Sequence, residues 1–164
     1  MTDDLRRAVI NALVGLTANF ETMECDPDLA DTAQFCEAYG IPLEQSANAI
    51  MLASKKPPGI FVVCLVLATH RLDVNGTARR EMGVRKVSFA PPELTAEVTG
   101  MVMGGVTPFS LSADVPVLVD SAVMGPRWVV VGGGSRDMKI KVDPEVFSRM
   151  PSVRIVEGLA NPTA

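Results

Sequence analysis

The sequence predicts an α+β fold, a mixed and strongly twisted or barrel-like β-sheet with helices packed outside. Three observations lead there. Two apolar runs, 47–54 and 60–67, flank Lys55-Lys56-Pro57-Pro58-Gly59 and read as an antiparallel pair joined by a Pro-Gly loop. The second run, Ile-Phe-Val-Val-Cys-Leu-Val-Leu, barely alternates, as expected of a central strand covered on both faces. β-branched runs then dominate the second half, with helical segments inserted irregularly.

The elements follow in order. Leu5, Ala8, Val9, Ala12 and Leu13 recur at helical spacing over 3–14, with Thr2 as N-cap. A short strand at 20–25 ends at Asp26-Pro27-Asp28. Asp31-Thr32-Ala33-Gln34 has the form of a capping box, with Asp31 taking the third amide and Gln34 reaching back. Gly40 stops that helix and Pro42 prevents a restart. After the strand pair, Asn75 caps a helix running to about Met82, with Gly83 as its C-terminal signal. A strand at 87–90 precedes a helix opened by Pro91-Pro92-Glu93 and closed by Gly100. Strands follow at 115–120, 127–131 and 138–142. Asp143-Pro144-Glu145 starts a short helix through Met150, and 153–156 adds an edge strand.

Length and composition narrow the class of protein. The 164 residues suit one domain, taken as 1–164, and 48% apolar against 21% charged residues is ordinary for a globular chain. The longest apolar run, 60–68, is about half of what a membrane-crossing helix needs, so no membrane partner is expected. An N-terminus of Thr2-Asp3-Asp4 ahead of Arg6-Arg7 is unlike a secretory signal, which makes the expected location cytoplasmic. Cys25, Cys36 and Cys64 form neither a disulfide framework nor a Cys-x-x-Cys pair, and Cys36 and Cys64 read as buried thiols.

A net charge of −4 disfavours nonspecific coating of nucleic acid, and no DNA partner is expected. Between Arg71 and Lys86, however, Arg71, Arg79, Arg80, Arg85 and Lys86 are opposed only by Asp73 and Glu81. This is either a solvated face or a local basic patch.

Several chemistries are excluded. The single histidine, His70, has no nucleophile elbow near it and reads as a strand-end residue. No metal or cofactor is expected, because one histidine and scattered cysteines do not make a zinc set, and nucleotide-loop signatures are absent. Two glycine clusters remain. Gly132-Gly133-Gly134 suits a bulged hairpin turn, or a backbone that lets a ligand approach closely. In the segment from Thr99 to Phe109, Gly104-Gly105 shortly before Pro108 makes a loop whose amides could face a cavity and hold an oxyanion. Met101 and Met103 would share one face of an extended stretch there and form an adaptable apolar wall.

Gly104-Gly105-Val106-Thr107-Pro108-Phe109, preceded by Thr99-Gly100 and followed by Val115-Pro116-Val117-Leu118-Val119-Asp120, resembles the YbaK/prolyl-tRNA synthetase-associated domain family. The resemblance continues through Val129 to Gly134 and the segment from Asp143 to Arg149. It reaches back through Asp31-Thr32-Ala33, Gly40-Ile41-Pro42 and Glu44-Gln45, spanning about 17–156 in one collinear order. It implies a mixed-sheet editing domain that hydrolyses the ester of a mischarged alanyl-, cysteinyl-, seryl- or threonyl-tRNA. The physical need for such a second sieve is plain, since one methylene gives a synthetase only about 1–3 kcal/mol of discrimination.

The resemblance implies catalytic roles for Asn48, Gly104 and Gly105, and substrate contacts at Thr99, Gly100, Met101, Met103, Thr107, Pro108 and Asp120. The basic group Arg71, Arg79, Arg80, Arg85 and Lys86 would meet the tRNA acceptor stem, and a synthetase is a further expected partner. Two positions depart from the family pattern. Asn48 stands where family deacylases carry a lysine, and Ser110 replaces the glycine after the loop motif. Asn supplies a neutral amide and no cation. A trans-editing deacylase and a binding module that has lost the lysine chemistry both remain open on these residues.

Overall fold

The computed structural model describes residues 2–163. The chain opens with helix α1 (Thr2–Gly15), whose Val9 and Leu13 are fully buried. The side chain of Thr2, expected to cap this helix, lies outside the described residues. Strand β1 (Phe20–Glu24) and helix α2 (Thr32–Tyr39) follow. Next come the long strands β2 (Ala47–Lys56) and β3 (Pro58–Leu67) and the short β4 (His70–Leu72). Helix α3 (Arg79–Met82), strand β5 (Lys86–Phe89) and helix α4 (Pro92–Thr99) lead into the second half. There β6 (Val117–Asp120), β7 (Val129–Gly132), β8 (Met138–Val142), β9 (Val153–Val156) and β10 (Ala160–Pro162) complete the strands.

The class is α+β with mixed strand pairing, as the sequence implies. Strand order in the main sheet is β5-β2-β3-β6-β9, antiparallel through β3 and parallel from β3 to β9. A second, antiparallel sheet runs β1-β8-β7, and β10 pairs with β4. The strands do not close into one barrel. A parallel bridge between Ser46 and Val130 joins the two larger sheets.

β3 sits in the middle of its sheet, which explains its composition. Val63, Leu65 and Leu67 pack into a core with Phe109, Phe147, Val131 and Ile140. Val62, Cys64 and Val66, pointing the other way, pack with Leu52, Ala78, Leu118 and Leu159. Burying such side chains contributes about 1.5–3 kcal/mol each, so the run has no room for polar alternation. Cys64 fills core, fully buried, and burial pushes its thiol up to about 12.

Two expected caps differ. Asp73, not Asn75, caps the α3 region: its carboxylate accepts from the amides of Gly76 (3.2 Å) and Thr77 (3.0 Å) and from the Thr77 hydroxyl. Asp31 stands at the N-cap of α2, yet its carboxylate makes no bond to the helix and turns to Arg136 at 3.3 Å. A guanidinium offers a charged donor where the capping box offers an amide. The stretch opened by Asp143 is a 3-10 helix, Pro144–Arg149.

Candidate active site

A cavity of about 200 Å³ lies at the junction of the two larger sheets. Its wall includes Ala47, Asn48 and Ala49 from the start of β2, and Val130, Val131 and Gly132 from β7. Asp31, Thr32 and Phe35 from α2 and the segment before it close one side, and Met103, Gly104 and Val106 close another. Lys139 of β8 completes the lining. The volume is below the roughly 300 Å³ at which drug-sized pockets begin, which suits a small group.

Local sequence explains the shape. Gly132 admits the neighbouring loop, because a Cβ there would run into the Val106 carbonyl. Gly104 has φ +87°, a left-handed conformation that favours glycine. The Gly-Gly-Gly run links β7 to β8 as an antiparallel hairpin, as expected, and its first residue also lines the cavity.

Two cations from the hairpin end hold the cavity's rim. Arg136 donates to the carbonyls of Pro27 (Nε, 2.9 Å) and Met103 (2.8 Å). Lys139 Nζ donates to the carbonyls of Ala30 (2.7 Å) and Gly104 (3.0 Å). The same two loops are thus clasped twice. Lys139 is only 7% exposed, and its Nζ lies 5.3 Å from the Phe35 ring centroid. Burial pushes this ammonium below the ordinary lysine range. Cys25, Asp31 and Cys36 act the other way, and Arg136 adds to the lowering.

Among the expected site residues, the structure brings Asn48, Met103 and Gly104 together at the cavity. The Asn48 carbonyl oxygen accepts from the Thr32 hydroxyl, so its NH₂ group is what the amide has left to donate. Gly105 packs behind the wall, with its amide donating to Val102 O (2.9 Å) and its carbonyl accepting from Gly134 (2.7 Å). The bare amide expected there is therefore engaged in a turn.

Met101 is buried outside the lining while Met103 is half exposed upon it. The segment turns instead of extending, so the two methionines do not share a face. Thr99 binds its own helix through Thr95 O (2.7 Å), and Gly100 ends that helix at the surface. Thr107 and Pro108 are buried away from the cavity, and the Thr107 hydroxyl has no partner among the described residues. Asp120 is buried at the end of β6, with Oδ1 accepting from the Ala160 amide at 3.2 Å.

The basic group is spread over separate elements. Arg71 stands on β4, and Arg79 and Arg80 on α3 bond Asn75 O (2.8 Å) and Thr77 Oγ1 (3.3 Å). Arg85 and Lys86 lie at the far end of β2, where Lys86 sits opposite Lys56. At about 3.3 Å per residue, that end is on the order of 25 Å from Asn48.

Lys139, Thr32 and Asp31 line the cavity and Arg136 braces its rim, and sequence reasoning did not place them in the site. In Met138-Lys139-Ile140-Lys141-Val142 strict alternation marks Lys139 as an outward residue of a half-buried strand. Nothing local signals that this outer face is itself covered by α2. Among the described residues, no group of three or more His, Cys, Asp or Glu could hold a metal, and no helix is long and apolar enough to cross a membrane.

A mixed-sheet α+β scaffold with a small cavity of mixed polar and apolar lining where two sheets meet defines the class of this domain. The chain belongs to the aminoacyl-tRNA editing domain family, which matches residues 26–150. It is 28% identical to the uncharacterized protein YwhH of Bacillus subtilis (strain 168), over 78% of this chain and 79% of that one. It is also 28% identical to a proline–tRNA ligase of Trichlorobacter lovleyi, over 68% of this chain but only 19% of the ligase. In fold it is similar to a crystal structure provisionally named as a trans-editing enzyme for prolyl tRNA synthetase. That likeness has a TM-score of 0.78 at 21% identity, covering 97% of this chain and 98% of that one.

Proposed function

We propose that this chain is a hydrolase for translation fidelity, a single-domain trans-editing deacylase that cleaves the ester of a tRNA mischarged with a small amino acid such as Ala, Cys, Ser or Thr. The observation that carries the reading is the cavity: at about 200 Å³ it has room for a small aminoacyl group, and its mixed wall sets Asn48 and Lys139 beside Met103 and Val106. Asn48 would hold the terminal ribose or position water through its NH₂ group. Met103 would border the side chain, and Gly104 would border the reacting carbonyl. Asp31 is the acceptor at hand for the substrate's α-ammonium.

The acceptor stem would run over the basic residues. By alternation Asn48 shares a face of β2 with Ile50 and Leu52, the face on which Ala78, Val74 and Met82 of the α3 region pack. Lys56 and Lys86, like charges directly opposite, are destabilising until an anion bridges them, which favours a phosphate contact there. A cytoplasmic setting and an aminoacyl-tRNA synthetase as a further partner fit this role.

One observation favours a second reading, a non-catalytic aminoacyl-binding module. No lining side chain is an unpaired strong base, since Asp31 is paired with Arg136 and His70 lies elsewhere. Substrate hydroxyls would then have to assist the reaction. The test is hydrolysis of labelled Ala-, Cys-, Ser-, Thr- and Pro-tRNA by the wild type and by Asn48→Ala, against a blank. Selective loss of one mischarged species, reduced in the variant, is expected. A flat panel overturns the hydrolase.

A further inference from the structure

One cation in the cavity has a hydrogen-bond donor to spare. An ammonium has three N–H bonds, and Lys139 uses two, on Ala30 O and Gly104 O. Its remaining neighbours on the apolar side include the Phe35 ring, which is no ordinary hydrogen-bond acceptor. No carboxylate lies within ion-pair distance of it among the described residues, and Asp31, the carboxylate that lines the same cavity, is paired with Arg136. A buried cation without a counter-ion costs several kcal/mol. The chain retains this one at the wall of a cavity that also presents the Asn48 amide.

We propose that Lys139 is the electrophilic side chain of the cavity: its third N–H takes the carbonyl oxygen of the bound aminoacyl ester and holds it as it becomes negative. This rests on reading the cavity as an ester-cleaving site. Water adds through its oxygen to the carbonyl carbon, and the C=O π pair moves onto the oxygen held by Lys139. As the pair returns, the C–O bond to the ribose breaks, and the ribose oxygen leaves with the proton that water gives up. Lys139 keeps its own proton throughout. In a water-poor site such a charged donor is worth far more than in bulk solvent.

A lysine that merely tied the two loops together would leave the same hydrogen bonds, so the test has to separate the roles. Calorimetry would compare two adenosine probes, each made with the alanyl, cysteinyl, seryl and threonyl side chains. One is the 3′-aminoalkylphosphonate, a tetrahedral anion, and the other is the uncharged-linkage 3′-aminoacylamide. With the fold verified by circular dichroism, Lys139→Met should weaken phosphonate binding by about a hundredfold, the loss typical of one oxyanion donor, and amide binding by much less. Equal losses on both probes, or none, would overturn the proposal in favour of a structural tie.

Should Lys139→Met not fold, the pH dependence decides. Facing Lys139 are the thiols of Cys25 and Cys36, the Asp31 carboxylate and the Arg136 guanidinium. Wild-type phosphonate binding should fall as pH rises, at a pH below the ordinary lysine range, and Lys139→Arg should extend binding to higher pH. A flat profile refutes the assignment. Wild-type protein that binds neither probe refutes it too, together with the aminoacyl ligand. Discrimination between probes without turnover of any tRNA would sink the hydrolase reading and leave the Lys139 contact standing.

Discussion

Removing the Arg136 clasp should loosen the rim of the cavity while leaving the sheets intact. Arg136→Met keeps the aliphatic stem and deletes the donors to Pro27 O and Met103 O. A hydrogen bond from a charged donor contributes about 1.5–3 kcal/mol. The side chain is 30% exposed, so each bond belongs below that range, at about 1 kcal/mol. The Asp31 contact adds little, since that carboxylate is 67% exposed and screened. The two bonds together give about 2 kcal/mol, equivalent to about thirtyfold in a local opening equilibrium. Native-state hydrogen exchange reads this directly at two loop amides, Leu29 bonded to Asp26 O and Gly105 bonded to Val102 O. Both should lose about thirtyfold in protection, while amides of β3 change little. Unchanged protection at Leu29 and Gly105 would mean that Lys139 alone holds the loops, and the double clasp would be refuted.

Other outcomes follow from the same geometry. Ser110 has φ +66°, so Ser110→Gly should stabilise by about 1 kcal/mol in chemical denaturation; destabilisation would show that the serine side chain supports the loop. Asp73→Ala should cost about 1 kcal/mol as a lost cap. The bonds from Thr77, followed by that from Gly76, hold the Asp73 carboxyl below the usual carboxylate range. Its contribution is therefore complete above the ordinary Asp pKa and lost as pH falls through the lowered one, and the gap between wild type and Asp73→Ala should close in acid. Reversing Arg80 and Lys86 to Glu should raise the KM for tRNA with kcat little changed. No change in either would remove these residues from the acceptor-stem path.

Much of the fold was legible because its signals are local. The unbroken apolar run ending at Leu67 can only be satisfied by cover on both sides, and Gly40, Gly83 and Gly100 each stop a helix in the left-handed conformation expected of them. The caps failed where two polar residues competed within a few positions. Asp73 gains two amides and a hydroxyl that Asn75 cannot reach from inside the turn, and Asp31 prefers a distant guanidinium.

In the site, the sequence-legible part is the glycine loop and the start of β2. Met101 was misplaced because periodicity assumed an extended segment where the chain turns. Lys139 was hidden because its partners are two main-chain carbonyls, Ala30 and Gly104, which carry no signature in any sequence. β4 and β10 were missed for a similar reason: each is three residues long, and only their pairing makes them strands.

The Ser46–Val130 bridge has a consequence for how such a cavity changes over evolutionary time. Asn48 and Lys139 belong to different sheets, and their separation depends on the angle at which the two sheets meet along that seam. That angle is set by core side chains such as Met51, Leu65, Val129 and Ile140, which come from both sheets and do not line the cavity. A methyl group gained or lost in this layer would widen or narrow the gap without touching any residue that meets a ligand. The size of group that such a cavity admits is in this sense a property of the scaffold's interior, which can be retuned from behind the wall.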